Sequence, residues 1–224
     1  METKYYEFEG MNYLIKFPDG FDENKKYPTI LMVHGAGGRG RDMTVIRDHP
    51  FFFHTKEIEN FPFVTIAPQC HENTWFDLWE TLKKFVKKIA LMPFVDTKRI
   101  YLTGASMGGY ATWQLAMSCP EYFAAIAPIC GGGMYWNASR LVNVPVWAFH
   151  GAKDTVVYPE ESEKMVKLVN YFGGNAKLTI YPENEHNAWS DTFSNPELYE
   201  WFLKYENKNE LNLTDEYDNT GDFG

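Results

Sequence analysis

The sequence predicts an α/β fold, a doubly wound and mostly parallel sheet, and three observations carry that expectation. Short apolar segments rich in β-branched residues alternate with segments of helical apolar spacing along the 224 residues. Most strand candidates are continuous apolar runs rather than alternating ones, as strands covered on both faces require. Glycines and polar residues collect just after the carboxyl ends of several of those runs, where ligands bind in open sheets of this kind.

Taken in order, residues 5–8 and 12–17 read as a hairpin-like opening pair, followed by a turn at Pro18-Asp19-Gly20. Thr29-Ile30-Leu31-Met32-Val33 is a buried strand that ends at His34-Gly35. Further strands are expected over 63–67, 100–103, 124–129, 144–149 and 177–181. A helix is expected over 76–91, where Leu78, Leu82, Phe85, Val86 and Ile89 fall at helical spacing. A second, 109–117, stops at Cys119-Pro120, and a third, 162–171, is ended by Gly173-Gly174. A fourth, 196–205, opens with a proline in its first turn after Asn195. Residues 1–206 read as a single domain, and residues 207–224, polar and without apolar periodicity, as a disordered acidic tail. The short segment between Ile129 and Val144 leaves no room for a large cap domain over the sheet edge.

Hydrophobic residues make up 45% of the chain, enough for a sizeable core. A net charge of −9 argues against nucleic acid or an anionic membrane surface as partner. Three cysteines, Cys70, Cys119 and Cys130, leave one unpaired in any disulfide scheme and fit buried apolar positions in a reducing compartment. Residues 1–9 are charged and aromatic rather than signal-like, and no apolar run approaches the ~20 residues of a membrane span, so a cytoplasmic location is expected. No cluster has zinc or iron ligand spacing, and no cofactor is expected.

Gly104-Ala105-Ser106-Met107-Gly108 places a serine in a tight turn between a strand and a helix, the arrangement of a serine nucleophile elbow. A serine hydroxyl is a poor nucleophile near neutral pH and needs a base. His186, just past the last expected strand and downstream of the acid candidate, fits that base, because an imidazole titrates near operating pH. Asp154, five residues after a strand, fits the acid that orients it. Asp191 lies on the wrong side of His186 in the chain, and Glu160 opens a helix. His34 and His150, each before a glycine, read as turn-shaping residues; His49, His54 and His71 read as surface residues.

The loop His34-Gly35-Ala36-Gly37-Gly38 lacks a following Gly-Lys-Ser/Thr, so an oxyanion loop fits better than a phosphate loop. The backbone N–H groups of Ala36 and Met107 are the expected oxyanion donors. Trp189, Gln69 and Trp75 are expected to face substrate, and Trp136 is a weaker candidate.

With these residues in place, residues 12–205 resemble an α/β-hydrolase of the carboxylesterase type, near the small polyhydroxybutyrate depolymerase, feruloyl esterase and dienelactone hydrolase-like branches. The resemblance is carried by the 34–40 loop, Ala67-Pro68-Gln69-Cys70, the elbow through Gly109-Tyr110, Trp147-Ala148-Phe149-His150-Gly151-Ala152-Lys153-Asp154 and His186-Asn187-Ala188-Trp189. It implies the α/β-hydrolase fold, with Asp154 and His186 as acid and base. Dienelactone hydrolases proper use a cysteine nucleophile, and this chain has Ser106, so the resemblance points away from that activity. The expected function is hydrolysis of small carboxylic esters through an acyl-enzyme. A thioesterase, peptidase or acyltransferase on the same triad, and a non-catalytic binding protein, are the alternatives.

Overall fold

The structure, a computed structural model, describes residues 2–211 and 213. Its strands are β1 Thr3–Phe8, β2 Met11–Lys16, β3 Tyr27–Val33, β4 Val64–Pro68, β5 Val95–Ala105, β6 Ala125–Ile129, β7 Val146–Gly151 and β8 Ala176–Tyr181. Its α-helices are α1 Met43–Arg47, α2 Pro50–Thr55, α3 Trp79–Ala90, α4 Met107–Ser118, α5 Glu160–Tyr171, α6 Trp189–Ser194 and α7 Pro196–Phe202. The strands form one eight-stranded sheet in the order β1-β2-β4-β3-β5-β6-β7-β8. The two pairings made by β2 are antiparallel, and all the others are parallel. This is the α/β-hydrolase fold.

Side chains alternate across each strand, and here both faces are apolar. On β3, Leu31 and Val33 join one hydrophobic cluster, whereas Ile30 and Met32 join the other. The first cluster takes Leu82 and Phe85 from α3, Trp113 from α4 and Met165 from α5. The second takes Phe51 from α2, Phe193 from α6, and Leu198 and Phe202 from α7. Helices on both faces explain why the central strands carry buried apolar runs.

Strand ends lie within two residues of expectation except on β5, which reaches back to Val95. That extension crosses the polar stretch Asp96-Thr97-Lys98-Arg99, where an Asp96–Arg99 ion pair at 2.7 Å replaces apolar packing. The helix expected over 76–91 splits into a 3-10 turn, Trp75–Leu78, and α3. Thr74 starts the turn by donating its N–H and hydroxyl to Asp77, each at 2.8 Å. Helices α1, α2 and α6 were not expected. They have five or six residues each, too few to display a helical period. Between β6 and β7 the chain carries only a 3-10 segment, Tyr135–Leu141.

The disordered tail was expected to begin at residue 207. Asn207 is instead buried, its N–H donating to the Lys98 carbonyl at 2.7 Å and its side-chain amide to the Glu121 carbonyl. Leu211 and Leu213 pack against the first cluster. Residues 212 and 214–224 lie outside the described residues. All three cysteines are free and buried. Among the described residues, no helix is long and apolar enough to cross a membrane.

Phe85 joins α3 to the opening hairpin, its ring 4.7 Å from that of Tyr13 and 5.6 Å from that of Phe8. Phe85→Ala should therefore lower stability by about 3–5 kcal/mol, read as a shifted midpoint in urea at unchanged m-value.

Candidate active site

β5 ends at Ala105 and α4 begins at Met107, so Ser106 alone makes the turn. Its φ of 58° is in the left-handed region, a conformation that costs a serine roughly 1–3 kcal/mol. Its N–H donates to the Ile129 carbonyl at 3.0 Å, which pins the turn to the end of β6. Two residues on, Gly108 lies so close to β3 that a Cβ there would meet the Val33 carbonyl oxygen at 2.0 Å. Only glycine allows α4 to start this near the sheet.

Asp154 follows β7 and His186 follows β8, and the two loops are packed as one. The N–H of Ala152 donates to Tyr181 and that of Lys153 to Asn184, both at 2.9 Å. A Cβ on Gly151 would meet the Glu185 carbonyl oxygen at 2.1 Å, so the acid loop needs glycine where the base loop crosses it. The result brings together three residues spread over 80 positions of sequence. The Ser106 hydroxyl lies 2.8 Å from His186 Nε2, and His186 Nδ1 lies 2.7 Å from Asp154 Oδ2. A carboxylate only accepts, so Nδ1 carries the proton and Nε2 is free to accept from the serine.

Asp154 is 2% exposed. Burial pushes its carboxyl up, but hydrogen bonds from His186 and from the Val157 and Val156 N–H groups outweigh this and hold it below the usual carboxylate range. It is therefore an anion well placed to face an imidazolium. Cys130 also has its sulfur near Asp154 and His186, and these three are the one set of metal-ligand type found among the described residues. Burial pushes the Cys130 thiol up to about 12, and the other two side chains are committed to each other, so the set is ill suited to a cation.

The cleft above Ser106 encloses about 530 Å³. The 35–38 loop, with Ala36, forms one wall, while Val45, Pro50, Val156 and Trp189 make much of the rest apolar. Met107 opens α4, so its N–H has no partner within the helix. The Trp189 ring stands edge-on to His186 with centroids 5.4 Å apart.

The structure corrects two of the expected substrate contacts. Trp75 is fully buried and Gln69 is 1% exposed, and neither lines the cleft. Trp75 donates its indole N–H to the His34 carbonyl at 2.9 Å. Gln69 donates to the Gly38 and Asp42 carbonyls, both at 3.0 Å. Both brace the glycine-rich loop from behind, because that loop bends back over the end of β4. Trp136 is 66% exposed and also lies outside the cleft lining. His34 shapes the same turn: its Nε2 accepts the Cys70 N–H at 2.9 Å, so Nδ1 carries the proton donated to Gly35 at 2.6 Å.

His49 was expected at the surface. It caps α2 instead, accepting the Phe51 N–H at 3.2 Å, and lines the cleft. A residue directly before a helix-opening proline occupies a capping position, and His49-Pro50 was the available signal. His71, also expected at the surface, has a side chain only 11% exposed.

Burial holds both His34 and His49 near pH 4, far below the usual histidine value. The unfolded chain therefore binds protons that the fold refuses between about pH 6.5 and 4. Stability is fully present above pH 6.5 and is lost as pH falls, by on the order of 3 kcal/mol for fully buried His34. Urea midpoints at pH 7 and 4.5 should record this fall, and His49→Leu should flatten it. Gly108→Ala should abolish the folded state or depress Tm sharply, measured by thermal melting.

Residues 63–208 match the dienelactone hydrolase family. Over 194 residues the chain is 24% identical to the probable feruloyl esterase C of Aspergillus niger, covering 84% of this chain and 71% of that protein. It is 23% identical over 223 residues to dipeptidyl-peptidase 5 of Porphyromonas gingivalis, covering 77% of this chain but 32% of that protein. The chain thus spans about a third of that peptidase's length. A solved thermostable esterase superposes with a TM-score of 0.79 at 30% identity, over 92% of this chain and 63% of its own. By the family match, which covers well over half its length, and by its sheet order, the chain belongs to the dienelactone hydrolase family, hydrolases of the α/β-hydrolase fold.

Proposed function

We propose that the protein hydrolyses small carboxylic esters by a serine acyl-enzyme route, with Ser106 as nucleophile, His186 as base and Asp154 as orienting acid. The observation that carries this reading is the unbroken hydrogen-bond path from the serine hydroxyl to the buried carboxylate. His186 Nε2 takes the Ser106 proton as Oγ attacks the ester carbonyl carbon. The Asp154 anion stabilises the imidazolium that forms. The carbonyl oxygen becomes an oxyanion, received by the N–H groups of Met107 and Ala36. His186 then returns the proton to the departing alcohol, and the C–O bond to that alcohol breaks. A water activated by the same imidazole releases the acid in the second half.

A serine at this position favours ester chemistry over that of a cysteine-dependent dienelactone hydrolase. The apolar lining around Val45, Pro50, Val156 and Trp189 suits an uncharged acyl or alcohol group. Three free cysteines are consistent with a cytoplasmic location.

Wild-type protein should hydrolyse short p-nitrophenyl esters, and Ser106→Ala should lose at least about 10⁴-fold in kcat/KM. A fluorophosphonate probe should label wild type and spare the variant. Equal hydrolysis by both proteins would end the proposal. The similarity to a dipeptidyl-peptidase favours a second reading, amide cleavage on the same triad. Turnover of dipeptide anilides faster than of esters would select it.

A further inference from the structure

We infer that His150 is a positioning residue for Asp154, fixing the acid relative to the nucleophile turn through a buried path from His150 to Ser162 to Gly131. The inference rests on the triad reading above and adds to it a residue that never touches substrate.

His150 sits at the end of β7 and is fully buried. Its Nδ1 lies 2.8 Å from Ser162 Oγ, and its Nε2 lies 2.9 Å from the Val157 carbonyl and 3.3 Å from Asp154 Oδ2. A carbonyl and a carboxylate only accept, so Nε2 carries a proton and shares it between them. Asp154 is then held at both oxygens. Oδ1 accepts the Val156 and Val157 N–H groups at 2.9 Å, and Oδ2 faces His186 at 2.7 Å and His150 at 3.3 Å. The longer contact marks His150 as the weaker donor, one that restrains the carboxylate without competing for its bond to His186.

The path continues away from the acid. The Ser162 hydroxyl, on α5, also lies 2.9 Å from the Gly131 carbonyl, so its single proton is shared between that carbonyl and His150 Nδ1. Gly131 is pressed against the first turn of α4: a Cβ on it would lie 2.6 Å from the Gly109 carbonyl carbon. His150 thus joins the acid loop to α5 by buried polar contacts, and Gly131 passes the restraint to the back of the nucleophile helix by close backbone packing. Loss of its N–H would leave Asp154 Oδ2 with more of its charge turned toward His186, so that His186 would hold its proton more tightly. Other titratable groups around this cluster are Cys130 after β6, Tyr110 on α4, Glu161 on α5, and the Lys153–Glu183 pair on the two loops.

The test uses His150→Phe, which keeps a ring of similar size without its nitrogens, His150→Gln, which restores a donor and an acceptor, and Ser162→Ala. Three readouts are the rate of fluorophosphonate labelling at Ser106, its pH dependence, and the low-field proton resonance of the His186 Nδ1–H. His150→Phe should label about 10–100-fold more slowly than wild type, with its pH profile displaced upward and the low-field resonance shifted or broadened. His150→Gln should recover most of the rate, and Ser162→Ala should fall between it and His150→Phe. A folded His150→Phe with wild-type rate, pH profile and resonance overturns the inference, even if its Tm is lower. Should His150→Phe fail to fold, a folded Ser162→Ala with wild-type rate, pH profile and resonance overturns it. Wild type that is never labelled overturns the hydrolase reading instead, while the resonance still reports whether His150 places Asp154.

Discussion

The contact between Gly108 and the Val33 carbonyl sets the geometry on which the site depends. It lets α4 begin beside the end of β3, and a helix starting there forces the preceding residue into a left-handed turn. Ser106 takes that conformation because packing on β3 and the bond to Ile129 over-determine it. The same close approach puts the 35–38 loop, which leaves β3, beside the serine. Nucleophile and glycine-rich loop therefore share one origin, the carboxyl end of a single pair of neighbouring strands.

Around this pair, buried polar groups do the positioning. Trp75, Gln69 and His34 stiffen the glycine-rich loop from below, each through backbone carbonyls or N–H groups. On the other side, Asp154 is gripped by two backbone N–H groups and His186. Fixed dipoles of this kind are already oriented before substrate arrives, which is what charge stabilisation in a transition state requires. Some satisfaction is incomplete: Gln69 Oε1 and Trp113 Nε1 are buried without protein partners.

The sheet was legible because its central strands are apolar on both faces, which leaves runs such as Thr29–Val33 with no competing reading. The meeting of Ser106, Asp154 and His186 was legible from chain order, since parallel strands deliver their following loops to one edge. What escaped was set by tertiary packing. Phe51-Phe52-Phe53 shows no helical period, and α2 forms because His49 caps it and Phe51 packs on Phe193. Trp75 and Gln69 stand beside strand ends in sequence, as substrate contacts do, yet turn inward because a loop from β3 lies over them. Only the path of that loop distinguishes the two roles, and nothing local encodes it.

The short link between β6 and β7 bears on what becomes of the acylated serine. A 3-10 segment makes that link, and none of its residues lines the cleft, so among the described residues it lays no helical lid over Ser106. On the proposed route, an acyl group on Ser106 would then have no helical lid between it and water once the alcohol leaves. Partition between solvent and any competing acceptor then favours hydrolysis by sheer abundance of water. On the proposed route, such a cleft would release the acyl group to water more readily than a lidded one would.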